Sequence, residues 1–170
     1  MEKPNKSGIR VVFGADHGGF EMKNQLCAYA KDLGYQAIDY GVYSTDAVDY
    51  PDVAFLVASA VARGDATLGV IVDGAGIGSA IVANKVPGIR AGSCNDITMA
   101  RNSREHNNCN VLTLGSGIIG LSKAKQILQA WLETDYAGGR HQKRIDKILD
   151  YEKRFLDRTI LFESSAKRPE

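Results

Sequence analysis

Five apolar runs of strand length, separated by longer stretches with helical periodicity, constrain this chain more than any other feature. They are "IRVVFG" (Ile9 to Gly14), "QAIDYG" (Gln36 to Gly41), "LGVIV" (Leu68 to Val72), "GIRAGSC" (Gly88 to Cys94) and "NVLTLG" (Asn110 to Gly115). Near-continuous apolar character suits strands covered on both faces. Between them, Phe20, Leu26, Tyr29, Ala30 and Leu33 keep a beat of about 3.6 residues, and "DVAFLVASAVARG" follows Pro51 and ends on Gly64, a helix start and stop. Parallel neighbours cannot be joined by hairpins, so this alternation predicts an open α/β sandwich with a five-stranded parallel sheet and helices on both faces.

With 170 residues, 44% hydrophobic and 24% charged, the chain suits one globular domain, expected over residues 1–157 with a tail at 158–170. From about Gln142 the sequence turns charged and helical, and Ile145, Ile148, Leu149, Tyr151 or Glu152, and Phe155 or Leu156 mark an apolar stripe. Such a long terminal helix is expected to pack on a partner subunit.

Lys and Arg total 21 against 20 Asp and Glu, so no global field advertises nucleic acid or an anionic membrane as partner. No apolar run reaches membrane-spanning length and the first residues lack the apolar core of a secretory signal. The three cysteines, Cys27, Cys94 and Cys109, have no paired spacing and fit a reducing compartment. A cytoplasmic protein with free thiols is the expectation.

A sheet of this kind binds ligands beyond the carboxyl ends of its strands. The loops gathering there read "GADHGGF", "DGAGIGS", "CNDI" and "GSGIIG". In "DGAGIGS", the amides of Gly74, Ala75, Gly76 and onward to Ser79 could converge on an anion beside Asp73, or Asp73 could simply cap a tight strand-to-helix turn. The dinucleotide fingerprint belongs to the first strand-to-helix turn, which here reads "GADHGG", so a nucleotide cofactor is disfavoured. Asp16 and His17 stand at the end of the first run, as substrate contacts or as a capping Asp beside a surface His. His106 and Asn107 precede the last run, where a helix C-terminal His interacting with the dipole is the competing reading. Arg140 and Arg144, with His141 between them, follow two glycines and form either a forked phosphate clamp or a solvated basic face. The histidines at 17, 106 and 141 are too scattered to suggest a metal site.

Taken in order, "ADHGGF", "VDYPDVA", "DGAGIGSAIVANKVPGIRAG", "SREHNNCNVL" and "YAGGRHQKRID" resemble the ribose-5-phosphate isomerase B and galactose-6-phosphate isomerase family, over about Arg10 to Arg154. The resemblance implies a flavodoxin-like (Rossmann-like) sheet with strand order 2-1-3-4-5 and a long C-terminal helix. It implies a homodimer or dimer of dimers with sites between subunits. It also implies aldose–ketose isomerisation of a sugar phosphate through an enediolate, without metal or organic cofactor. Carried over residue by residue, His106 is the ring opener, and the amides from Gly74 to Gly78 are the anion hole. Asp16, His17, Tyr50, Ala75, Gly76, Ser79 and Asn107 contact substrate, and Arg140, His141 and Arg144 serve the phosphate, supplied by a neighbouring subunit.

This chain departs from the family pattern at the base. Many ribose-5-phosphate isomerase B proteins carry a Cys where Asp73 stands, and another branch a Glu where Ser79 stands. An Asp at the Cys position resembles the A subunit of galactose-6-phosphate isomerase, which implies a second reading, a partner-dependent subunit working with a paralogous chain. Gly117 stands where the family usually offers another phosphate-binding Arg. Carboxylates are ionised at neutral pH where a thiol must be activated, so Asp73 is the candidate proton-transfer base, with Asp16 on the adjacent loop as the neighbouring charge that could strengthen it.

Overall fold

The apolar runs form one parallel sheet. The computed structural model describes residues 6–44 and 46–157. In chain order the elements are β1 (Arg10–Ala15), α1 (Phe20–Asp32), β2 (Gln36–Asp39), α2 (Tyr50–Ala62), β3 (Leu68–Asp73), α3 (Ile77–Ala83), β4 (Ala91–Ser93), α4 (Ile97–Glu105), β5 (Val111–Gly115), α5 (Leu121–Glu133) and α6 (Gln142–Leu156). Side chains alternate across the sheet. Val11, Phe13, Val70, Val72, Leu112 and Leu114 meet α1, α4 and α5 on one face, while Val12, Ile71 and Val111 meet α2 and α3 on the other.

The strand order is β2-β1-β3-β5-β4, which corrects the expected 2-1-3-4-5 by exchanging the last two strands. Burial explains the exchange. β5 is buried along its whole length and pairs with β3 from Gly69↔Val111 to Asp73↔Gly115. β4 is only three half-buried residues, Ala-Gly-Ser, pairing with β5 alone. A short strand poor in β-branched residues suits an edge.

Between β1 and β3 the chain winds away in opposite directions, so their carboxyl ends open a crevice, the place where such sheets take ligands. The register Ala15↔Val72 brings Asp16 and Asp73 out side by side there. Lys23 on α1 braces the neighbouring strand end. Its ammonium is fully buried, donates to both oxygens of Asp39 at 2.7 and 2.8 Å and to the Val42 carbonyl at 2.7 Å, and lies between the rings of Phe20 and Tyr43.

The chain divides into two compact units, one ending at Ala137 and the other starting at Gly138. In the second, Gly138 and Gly139 have φ of 62° and 55°, a left-handed conformation that glycine adopts without a Cβ clash. They lead through a 3-10 turn into α6, whose Ile148, Leu149, Tyr151, Phe155 and Leu156 are exposed. The expected tail at 158–170 lies outside the described residues. Among the described residues no helix is long and apolar enough to cross a membrane.

Candidate active site

The turn after β3 is curled around its own acid. Asp73 is 5% exposed. Its Oδ1 accepts from the amides of Ala75, at 2.8 Å, and Gly76, and its Oδ2 accepts from the Ser79 amide, at 3.0 Å, and the Ser79 hydroxyl. A carboxylate offers about four acceptor positions, and all are engaged. Ala75 and Gly76, expected in an anion hole, thus direct their N–H groups at Asp73. Ser79, expected to touch substrate, is fully buried with its hydroxyl turned inward. Ile77 and Gly78 open α3, so their amides are among those a helix start leaves without an intrahelical partner.

Glycine is required in this turn. Gly76 has φ +75°, and a Cβ on it would stand 2.9 Å from the Leu114 carbonyl carbon. Thr113 on β5 donates to the Gly76 carbonyl at 2.6 Å, tying the turn to the sheet. The loop after β5 is equally close. The Gly117 amide donates to the Gly74 carbonyl at 3.0 Å, and a Cβ on Gly117 would sit 3.0 Å from that oxygen. Ser116 reaches the Gly18 carbonyl at 2.9 Å and the Asp73 carbonyl at 3.1 Å, which joins the loops after β1, β3 and β5.

In the first loop the Asp16 amide donates to the Val72 carbonyl at 3.2 Å, and Asp16 Oδ1 accepts from the Gly19 amide at 2.9 Å. Asp16 Oδ2 has no hydrogen-bond partner among the described residues. His17 is exposed. Tyr50, the first residue of α2, lays its ring against Gly78. Asp16, His17, Tyr50 and the residues from Asp73 to Ser79 are therefore gathered at one rim of the sheet.

His106 and Asn107 stand at the opposite rim. α4 runs antiparallel to the strands, so His106, which caps its C-terminus, lies where β5 begins. Arg90, which leads into β4, donates to the carbonyls of Asn107 and Asn108 at 3.2 and 2.9 Å. The length of β5 separates this rim from Asp73 by roughly 15 Å. His106 Nδ1 lies 2.8 Å from Asn102 Nδ2. Asn102 Oδ1 accepts from Asn107 Nδ2 at 3.3 Å, which turns the Asn102 NH₂ toward His106, so Nδ1 accepts and Nε2 carries the proton. Asn102, one turn before His106, was missed in the sequence, although i, i+4 spacing could have found it. Arg140 and Arg144 are exposed in the second unit, and Arg140 Nε lies 3.5 Å from His141 Nε2.

No thiol is poised as a base. Cys27, Cys94 and Cys109 are buried, and burial pushes each above the ordinary thiol range, Cys109 to about 11. Among the described residues no group of three or more His, Cys, Asp or Glu could hold a metal ion.

The family model described as ribose/galactose isomerase matches residues 11–148. The chain is 44% identical over 145 residues to ribose-5-phosphate isomerase B of Escherichia coli, covering 85% of this chain and 97% of that one. It is 39% identical to D-erythrulose-4-phosphate isomerase of Pectobacterium atrosepticum, with coverages of 85% and 95%. The solved structure of Clostridium thermocellum ribose-5-phosphate isomerase B superposes with a TM-score of 0.85 at 44% identity, covering 86% of this chain and 99% of that one.

Proposed function

The chain belongs to the ribose/galactose isomerase family, and from that premise we propose that it interconverts a phosphorylated aldose and its ketose, ribose 5-phosphate and ribulose 5-phosphate or a related tetrose or hexose phosphate. The reaction is an intramolecular oxidoreduction. A base takes the proton from C2 of the open-chain aldose and the electron pair enters an enediolate. Return of a proton to C1, with O2 giving its proton to O1, completes the ketose.

The observation that carries the reading is the crevice between β1 and β3, where two carboxylates emerge on adjacent strands beside a helix start with two undirected amides. Those of Ile77 and Gly78 suit the enediolate oxygen, Tyr50 walls the pocket, and Asp16 or Asp73 moves the proton. Arg140 and Arg144 of a neighbouring subunit hold the phosphate, with His141 next to Arg140 in the chain.

His106 opens the sugar ring through its Nε2–H, and Asn107 binds a substrate hydroxyl. Because these two stand at the other rim of their own sheet, they serve the site of a second copy. Ile77 and Ile81, 60% and 58% exposed on one face of α3, support such a partner, since adjacent large apolar side chains at a surface mark association sites. The engaged carboxylate of Asp73 favours a second reading, a non-catalytic or partner-dependent subunit that needs a paralogous chain.

A panel of four-, five- and six-carbon aldose and ketose phosphates, incubated in D₂O and followed by NMR for exchange at C1 and C2, tests the function. Exchange with a substrate supports isomerisation by this chain alone, and its absence from the whole panel favours the partner-dependent subunit. Mixing inactive His106→Asn and Asp16→Asn variants tests the shared site. With random reassortment of a dimer, about a quarter of wild-type activity returns, whereas none returns if each chain works by itself.

A further inference from the structure

We infer that Asp16 is the residue that moves the proton between C1 and C2, and that Asp73 is a fixed internal anion of the turn after β3. This deepens the isomerase reading above and rests on it.

The inference follows from what each carboxylate has left to offer. A carbon-bound proton must meet an oxygen lone pair that faces the substrate. Asp73 has given its acceptor positions to the Ala75, Gly76 and Ser79 amides and the Ser79 hydroxyl. Three of those donors are backbone groups held by the glycine turn and by Thr113 on the Gly76 carbonyl. The fourth, Ser79, is fully buried, so the lone pair it occupies points into the protein. Asp73 can accept a proton only by dismantling the turn that presents the Ile77 and Gly78 amides.

Asp16 differs in each respect. Its Oδ1 is anchored by the Gly19 amide at 2.9 Å, which fixes the carboxylate plane, and its Oδ2 has no partner among the described residues. It is half-buried, out of bulk water yet open to the crevice. It leaves β1 beside Asp73 on β3, so the backbones of the two acids are one strand spacing apart, about 4.8 Å. His17, the other titratable group of that loop, is exposed and has no hydrogen bond among the described residues to orient it.

In the forward direction the C2–H bond breaks, an O–H bond forms on Asp16 Oδ2, and the electron pair enters the C1–C2 enediolate. Asp16 then returns that proton to C1 while the O2 proton passes to O1, so no oxidant, reductant or co-reactant is needed.

The test compares Asp16→Asn and Asp73→Asn as full-length proteins whose folding is verified by thermal melting. Wild type must first exchange protons at C1 or C2 of a sugar phosphate, and its failure on the whole panel removes the reading of this chain as an isomerase working alone. Given wild-type exchange, Asp16→Asn is expected to lower kcat and exchange about a thousandfold with KM changed less than about threefold. Folded Asp73→Asn is expected to melt at a lower temperature and, because it disturbs the turn but leaves the proton carrier in place, to lose at least about tenfold less kcat than Asp16→Asn. Should Asp73→Asn not fold, Asp16→Ala with added formate decides. Restoration of exchange by formate supports Asp16 as the base, and no restoration overturns it, because a positioning role is not replaced by a diffusible carboxylate. Retention of more than a tenth of wild-type exchange by Asp16→Asn also overturns the inference.

Discussion

A Cβ placed on Gly78 would stand 2.6 Å from Cε2 and Cζ of the Tyr50 ring, so the start of α2 is packed directly on the start of α3. The ring is 39% exposed and can swing outward. Gly78→Ala is therefore expected to cost only about 1 kcal/mol of stability, yet to raise KM several-fold by moving the pocket wall. Equilibrium denaturation and steady-state kinetics on the same variant check the two halves, and an unchanged KM would remove Tyr50 from the wall.

Gly19 has no such escape. A Cβ there would lie 2.2 Å from the Val72 carbonyl oxygen, and backbone cannot rotate away. Gly19→Ala should lose about 3 kcal/mol or more, seen as a large drop in the urea midpoint.

Lys23 and Asp39 form a pair of unequal burial, the lysine side chain fully buried and the aspartate 32% exposed. Removing one partner of a buried pair costs about 3–5 kcal/mol when the survivor cannot be solvated. Asp39→Ala strands the ammonium, whereas Lys23→Met leaves a carboxylate that water can reach. Urea denaturation is expected to rank Asp39→Ala as the more damaging change, and the reverse ranking would show that the lysine matters through packing.

The cysteines set an alkaline limit. Cys109 titrates near 11 in the folded protein against 9.0 as its ordinary value. Between those values the unfolded chain has lost the thiol proton and the folded one retains it, so stability falls as pH rises, by about 1.4 kcal/mol per pH unit for this group. Cys27 and Cys94, also pushed up by burial, steepen the fall. Cys109→Ala is expected to flatten the stability curve between pH 9 and 11 in denaturation measurements.

The proposed function gives Arg140 and Arg144 the substrate's phosphate. Arg140→Ala and Arg144→Ala should each raise KM for a phosphorylated sugar strongly with a smaller change in kcat. The matching unphosphorylated sugar should be affected little, and equal effects on both sugars would mean another anchor.

Much of the fold was legible in the chain, because strands buried on both faces are near-continuously apolar. Ile71 and Val72 serve opposite faces, and neither position admits a polar residue. The run from Gly88 to Cys94 shortens in the structure to the three residues Ala91–Ser93. The exchange of β4 with β5 was not legible, because which strand lies beside β3 is decided by the total burial of β5 against the whole sheet.

The candidate site divides the same way. Asp16, Asp73, Tyr50 and the glycine turn could be named from residue types and their place after apolar runs, since local spacing fixes which loops share a rim. Whether Asp73 faces substrate or its own turn depends on Gly76 at positive φ, and that depends on Thr113, 37 residues further along. Likewise His106 lies at the far rim because α4 must run back across the sheet before β5 can begin. Periodicity and turn chemistry are properties of neighbours in the chain, and these the sequence determined by itself. The partners of a carboxylate and the rim reached by a histidine are set by contacts between distant segments, and only the tertiary structure decided them.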